Sequence, residues 1–531
     1  MTPEPTAPWW KWGVIYQVYP RSFQDTNGDG IGDLAGVLRR LDHLVALGVD
    51  AMWLSPIFPS PMADFGYDVA DYCGVDPQFG SLSDADAVIA AAHERGIKLI
   101  LDFVPNHSSD QHPWFKASRS SRTNPKRDWY IWKDAKPDGS PPNNWQSDFG
   151  GSSWEWDEPT GQYYLHAFLK EQPDLNWRNP DVVAAMLDVL RFWFDRGVDG
   201  FRIDVLWHIV KSADFADNPP KPGHVRRMGE MFDQLQVNNT SQPKAHELAA
   251  RMRAVADGYP GDRVLIGEIY LPVAELVAWY GSPDRPQVQP FNFQLINAPW
   301  KADAIRTLIA DYEAALPPGA WPNWVLGNHD RPRIASRVGE AQARVAAMLL
   351  LTLRGTPTIY YGDEIGLPDT PIPSELTKDP AELRQPGEGV GRDPVRTPMP
   401  WSDAPTAGFT TGEPWLPLNA DWPVRNVETQ AALTDSPLAL HRALLKLRRE
   451  RPSLALGDLK LIDAWGSVLA YERRLGDERT LIALNLSDRA QTLGLPPWAH
   501  GAETLACTLP GLCKVSDGVL HLRPDEGVVV A

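Results

Sequence analysis

The stretch Gly200 to His208, GFRIDVLWH, opens as a strand of apolar and β-branched residues and then sets a charge on alternate positions. Side chains alternate across a strand, so Arg202 and Asp204 leave it on the same face. A carboxylate beside a guanidinium at a strand end has two readings. It is a structural ion pair, the usual meaning of a lone Arg-x-Asp, or a nucleophile whose pKa the arginine lowers and whose oxygen it holds still. What separates them is whether polar residues recur at the ends of other strands.

Working outward, Val14 to Tyr19 reads as a strand, Leu34 to Leu47 as a helix stopped by Gly48, Ala51 to Leu54 as a strand, Asp84 to Arg95 as a helix closed by Gly96, and Lys98 to Val104 as an apolar strand. From Pro105 to Asn176 both periods fade into runs such as RDWYIWKD and NNWQSDFGGSSW, which reads as an inserted subdomain. The rhythm resumes with a helix at Pro180 to Arg196 and strands at Gly200 to Asp204, Val264 to Glu268, Phe291 to Phe293, Trp324 to His329 and Thr356 to Tyr360. Strands alternating with helices to this number predict an α/β protein, a (β/α)8 TIM barrel. Past Leu456 the runs SVLAYERR, TLIALNLS and GVVVA alternate with turns, predicting a C-terminal antiparallel β domain of sandwich type. The organisation expected is barrel over 1–104 and 177–455, inserted loop-rich subdomain over 105–176, and β-sandwich over 456–531.

A net charge of −17 argues against nucleic acid and anionic membranes, and Trp 22 with Pro 50 fits long ordered loops lined by flat rings, which suit sugars. The opening MTPEPTAPWWKWG has no basic start before an apolar run, and no eighteen-residue apolar run occurs, so a cytoplasmic protein is expected. Cys73, Cys507 and Cys513 form no disulfide framework. Nothing decides between a monomer and a homo-oligomer.

Polar residues do recur at the strand ends: Asp102 and His107, Arg202 and Asp204, Glu268, His329 and Asp330. Two carboxylates on successive strands are what retaining glycoside cleavage requires, a nucleophile and an acid about 5 Å apart. Glu268 follows the apolar run VLIG, which should raise its pKa, while Arg202 should keep Asp204 ionised.

These segments, DFVPNH at 102–107, GFRID at 200–204, Gly267-Glu268 and NHD at 328–330, resemble in order the motifs of the α-amylase family of glycoside hydrolases. VIYQVYPRSF, GDGIGDL, GTPTIYYGDEIG, QPDLN at 172–176 and RTPMPW at 396–401 extend the likeness, the last two towards its α-glucosidase and oligo-1,6-glucosidase branch. The resemblance implies Asp204 as nucleophile, Glu268 as general acid/base and Asp330 as a third carboxylate gripping sugar hydroxyls. It implies Tyr67, Asp68, His107, Arg202, His329 and Arg396 around the same glucose. A meeting of Asp68 with Arg396 would make the pocket a dead end and the action exo.

Asp25, Asn27, Asp29 and Asp33, in DTNGDGIGD, alternate oxygen-bearing side chains with glycines, which fits a hard-cation loop and an Asn-Gly/Asp-Gly turn equally; Gly36 stands where an EF-hand has its bidentate Glu. The resemblance implies structural Ca2+, or Mg2+, there, with the Ile31 carbonyl as a further ligand. Val205, after the nucleophile, resembles the residue of relatives acting on α-1,6 bonds, or simply packs against the barrel. The polar stretch Ala213 to Gln242 shapes the acceptor side or a dimer contact. The reading is an exo-acting, retaining α-glucosidase for short α-1,6 or α-1,4 glucosides. The alternatives are a transglucosidase of 4-α-glucanotransferase, trehalose synthase or sucrose isomerase type, and, remotely, a non-catalytic sugar-binding or escort protein.

Overall fold

The computed structural model describes residues 7–225, 230, 232–511 and 513–531. The first six residues and positions 226–229 and 231 of the long polar stretch lie outside the described residues. The barrel strands are β1 (Ile15–Val18), β2 (Ala51–Leu54), β3 (Lys98–Phe103), β4 (Gly200–Ile203), β5 (Val264–Gly267), β6 (Gln289–Pro290), β7 (Asn323–Val325) and β8 (Thr356–Tyr360). They form one parallel sheet in the order β6-β5-β4-β3-β2-β1-β8-β7. Its edges meet where the Asn292 N–H donates to the Asn323 carbonyl at 2.9 Å.

Two strands differ from expectation. The sixth lies at Gln289–Pro290, not Phe291 to Phe293, because Phe291 and Phe293 pack inside the barrel and only Asn292 still reaches the next strand. The seventh ends at Val325, so Leu326 to Asp330 is a turn, pinned where Asn328 Oδ1 accepts from the Asp330 N–H at 3.0 Å. That turn aims His329 and Asp330 over the barrel mouth.

Strand parity sets what fills the barrel. Ile15, Ala51, Ile100, Val264 and Val325 form an apolar interior with Trp53, Ile266 and Trp9. Moving up the same faces, the residues become polar: Asp102 lies beside Arg202, and Arg202 beside Ile266, in register. Gly200 occupies the lower layer because a Cβ there would stand 2.5 Å from both the Val264 carbonyl oxygen and Cγ1. A larger residue would push β4 away from β5 and displace Arg202 and Asp204 above it.

Helices cover the outside. α1 (Leu34–Leu47) buries Leu34, Val37, Leu41, Leu44 and Leu47, is capped by Asp33, and ends at Gly48 with φ +95°. α2 (Leu82–Glu94), α3 (Pro180–Asp195), α4 (Pro243–Asp257), α5 (Ala302–Ala315) and α6 (Glu340–Thr352) continue the ring. Between β3 and α3 lie a helix at Pro113–Ser120 and a small antiparallel sheet of Trp132–Lys133, Gln162–Leu165 and Trp154–Asp157, whose core is Ile131, Trp145, Trp154 and Leu165. The two ends of this unit are drawn together by bridges from His107 to Asp174 and from Tyr130 to Leu175. After α7 (Pro437–Glu450) the chain forms antiparallel sheets of five and three strands around Val468, Leu481, Leu493, Leu520 and Val528. Among the described residues no helix is long and apolar enough to cross a membrane.

Gly200→Ala is expected to destabilise the protein by about 2–3 kcal/mol, the overpacking cost of a close backbone approach, read as a lower denaturant midpoint. An unchanged midpoint would mean that β4 and β5 can separate freely.

Candidate active site

Arg202 is 1% exposed and serves three carboxyl groups. One terminal nitrogen donates to Asp102 Oδ1 at 2.8 Å and Asp204 Oδ1 at 2.6 Å, while the other meets Glu268 Oε2 at 2.6 Å. Asp204 and Glu268 are thus held by the two terminal nitrogens of one guanidinium. The N–H of Val205 also donates to Glu268 Oε2 at 3.0 Å. Val205 makes that bond from the left-handed region, φ +36°, a conformation that costs a β-branched residue about 1–3 kcal/mol.

Burial pushes the Asp204 carboxyl well above the ordinary range; Arg202 opposes the rise and Glu268 and Asp102 add to it. Glu268 is raised too, by burial first, with Arg202 opposing and Asp330 adding. Asp102 is pushed up to about 6, again by burial against Arg202. The expectation that Arg202 would hold Asp204 low is therefore not met. One guanidinium divided among three buried carboxyls cannot offset their desolvation, and all three lie above the ordinary carboxyl range.

Asp330 differs. Its side chain is 23% exposed, the most open of these carboxyls, and Arg396 donates to its Oδ1 at 2.8 Å. Burial alone would raise it, but the guanidinium groups of Arg396 and Arg392 bring it below the ordinary range. His329 is held neutral by burial. Its ring stacks on Tyr67 with centroids 5.3 Å apart and planes 3° from parallel, its Nδ1 meets Gln17 Nε2 at 2.9 Å, and its Nε2 meets Tyr67 Oη at 2.8 Å. Tyr67 Oη also donates to Asp102 Oδ2 at 3.1 Å, joining the two halves of the site.

Asp68 and Arg396 do not meet. Asp68 is fully buried and holds its own loop, accepting from Ser60 Oγ at 2.8 Å and from the N–H groups of Ala63 and Asp64 at 2.9 and 3.0 Å. The ion pair across the pocket is instead Arg392 with Asp64, at 2.7 Å. Arg392 reaches Asp330 at 3.5 Å and is anchored by Asp379 at 2.7 Å. Asp64 and Arg392 were the residues the sequence reading passed over. Each stands close to a residue the resemblance names, Asp64 three before Tyr67 and Arg392 four before Arg396, across the short helix Asp393–Val395.

His107 sits behind Tyr67, its Nε2 3.1 Å from the Tyr67 carbonyl and 3.1 Å from Gln172 Nε2, and burial pushes it down to about 4. Gln172 links it to Asp64, at 3.2 Å.

The 25–33 loop lies at the start of α1. Asp25 accepts from the N–H groups of Asn27, Gly28 and Gly30, each at 2.9 Å, and from the Thr410 hydroxyl. Asn27 and Asp29 accept from the N–H groups of Asp29 and Ile31, and Asp33 caps α1 through the Gly36 N–H. Among the described residues no group of three or more His, Cys, Asp or Glu is arranged to hold a metal ion. These oxygens, which the resemblance implies for Ca2+ or Mg2+, here accept from the turn's own backbone N–H groups.

Residues 17–457 match the family described as alpha amylase, catalytic domain. The chain belongs to the α-amylase family. It is a glycoside hydrolase of that family. It is 43% identical over 509 residues to a probable alpha-glucosidase of Rhizobium meliloti (strain 1021), covering 93% of this chain and 92% of that one. It is 38% identical over 530 residues to an oligo-1,6-glucosidase of Parageobacillus thermoglucosidasius, covering 92% of each. Among solved structures it resembles an alpha-glucosyl transfer enzyme with a TM-score of 0.93 and 42% identity, covering 99% of both chains.

Asp25→Ala is expected to lower stability by about 3 kcal/mol, since several hydrogen bonds to a buried carboxylate are lost, and to do so equally in calcium and in chelator. A loss seen only in calcium, measured by thermal melting, would assign the loop to an ion.

Proposed function

We propose that the enzyme is an exo-acting, retaining α-glucosidase that removes terminal α-linked glucose from short α-1,6 or α-1,4 glucosides. The observation that carries this is that Asp204 and Glu268, at the ends of neighbouring strands, share the Arg202 guanidinium, with the Asp64–Arg392 ion pair beside Asp330. Two carboxyl groups held on one guanidinium stand close together, which suits double displacement, where the pair is about 5 Å apart, rather than inversion at a wider spacing.

In this reading the non-reducing glucose enters with its far hydroxyls towards Asp64, Arg392 and Asp330. Asp330, ionised and held by Arg396, grips those hydroxyls more tightly as the ring flattens. Asp204 forms a bond to the anomeric carbon as the glycosidic C–O bond breaks, and Glu268 gives its proton to the departing oxygen. Glu268 then takes a proton from water, whose oxygen displaces Asp204 and releases glucose with its configuration retained. Burial supports the roles by raising both carboxyls above the ordinary range, and the Arg202 guanidinium stabilises the carboxylate that re-forms.

A transglucosidase, in which a sugar hydroxyl replaces that water, is the second reading, favoured by the 42% identity to an alpha-glucosyl transfer enzyme. The preferred linkage and chain length follow from product analysis with maltose, isomaltose, sucrose and trehalose. Glucose released one unit at a time supports the first reading. New di- or trisaccharides at low substrate support the second, and no turnover of any contradicts both.

Asp204→Asn is expected to lower kcat on the order of a thousandfold or more while the fold persists; full activity would remove Asp204 from its role. Arg392→Ala is expected to lower kcat/KM on disaccharides on the order of 100-fold, mainly through KM, because charge-assisted bonds to bound sugar and to Asp330 are lost. Both limbs of the kcat/KM pH profile should lie above the ordinary carboxylate range. Activity fails at low pH when the pair is fully protonated and at high pH when Glu268 loses its proton, and Glu268→Gln should abolish the alkaline limb in what activity remains.

A further inference from the structure

At the other end of the barrel strands from the catalytic mouth lies a cavity of about 320 Å3. It touches Val264 and Gln289, the first residues of β5 and β6, whereas Glu268 follows the end of β5. Its walls are the rings of Trp10, Tyr280 and Trp321, with prolines of the segments 283–286 and 317–318. Among the described residues lining it the one charged side chain, Arg253, is already engaged, its Nε by Asp257 at 2.8 Å and its Nη1 by the Arg263 carbonyl at 2.7 Å. Two polar groups in the lining are not. Gln289 is 6% exposed, and its Nε2 donates to the Trp321 and Pro322 carbonyls at 3.1 and 3.3 Å and to Thr356 Oγ1 at 3.2 Å. Those carbonyls fix the amide, since turning it over would set oxygen against oxygen, so Oε1 is the atom left over. Among the described residues nothing donates to Gln289 Oε1, and nothing accepts from the ring N–H of Trp321, which is 7% exposed. A buried acceptor and a buried donor without partners, on two side chains that line one cavity, call for a ligand that supplies both.

We propose that this cavity binds a phenol, a flat and uncharged aromatic ring whose single hydroxyl accepts from the Trp321 N–H and donates to Gln289 Oε1. One hydroxyl does both, because it carries a donor and two acceptor lone pairs. The ring suits walls of aromatic and proline side chains, against which flat faces pack without any charge. The Tyr280 hydroxyl does not compete for the ligand, since it already donates to the Trp321 carbonyl at 2.9 Å. A pyranose is the poorer match. It carries a hydroxyl on most of its carbons, and walls of ring and proline would leave those hydroxyls buried and unmet. The site does not depend on the glycosidase reading and uses none of the residues that reading employs.

The test offers the full chain phenol, toluene and glucose, measuring affinity by ligand-observed NMR and location by soaking crystals. Phenol is expected to bind with a Kd on the order of millimolar, the scale of a ligand of so few atoms. In the soaked crystal its oxygen should lie within hydrogen-bond distance of both Trp321 Nε1 and Gln289 Oε1. Toluene keeps the ring and lacks the hydroxyl, and should bind roughly tenfold more weakly. Trp321→Phe, which keeps a ring and removes the N–H, should weaken phenol by about fivefold and leave toluene within about twofold. Equal weakening of both by that variant would overturn the hydrogen-bonding assignment. Phenol bound no better than toluene, glucose seated in the cavity instead, or only ordered water there at saturating phenol would each overturn the proposal. The wild-type comparison of phenol with toluene decides alone if the variant does not fold.

Discussion

A single guanidinium, Arg202, sits inside the barrel and serves three carboxyl groups, and the rest of the site is arranged around that constraint. Arg202, Asp102 and Asp204 sit above an apolar layer that includes Ile100 and Gly200, so the charges are raised to the mouth on a dry foundation. Removing ions from water is costly, and a buried charge persists only when its partners and hydrogen bonds offset that cost. Here the offset is partial. One cation for three carboxyls leaves a shortfall that raises all of them, and a raised carboxyl beside a second one is what general acid catalysis needs. Asp330, served by two guanidinium groups and more open to solvent, stays ionised a short distance away. The two halves differ in charge because they differ in the number of arginines per carboxyl.

Much of this was legible in the sequence, for a simple reason. Period-two alternation places Gly200, Arg202 and Asp204 on one face, and parallel neighbours in register bring Glu268 beside them. β2 and β8, apolar runs bounded by clear breaks, fall where expected. The short strands did not. Phe291 and Phe293 read as strand residues because they are aromatic and apolar, yet they fill the barrel interior while the ladder runs through Gln289 and Pro290. Sequence pattern reports burial, and burial here comes from packing inside the barrel rather than from the ladder.

The less legible features are those set by tertiary distance. Asp64 and Asp68 are four residues apart, as are Arg392 and Arg396; only the folded loops decide that Asp64 meets Arg392 while Asp68 caps its own turn. The sharing of Arg202 among three partners is likewise invisible to a local reading, and so was the resulting rise of Asp204. The alternating oxygens of 25–33 show a further limit, since the same spacing that would suit a cation also satisfies backbone N–H groups of its own turn.

The central claim is that Asp204 bonds to the anomeric carbon. Incubation with a slowly turned-over 5-fluoro-glucosyl fluoride, followed by digestion and mass spectrometry, tests it directly. The account predicts one fluoroglucosyl group on the peptide carrying Gly200 to Asp204, fixed to the Asp204 carboxyl. A label on Glu268 or Asp330, or an inactivated enzyme carrying none, would contradict it.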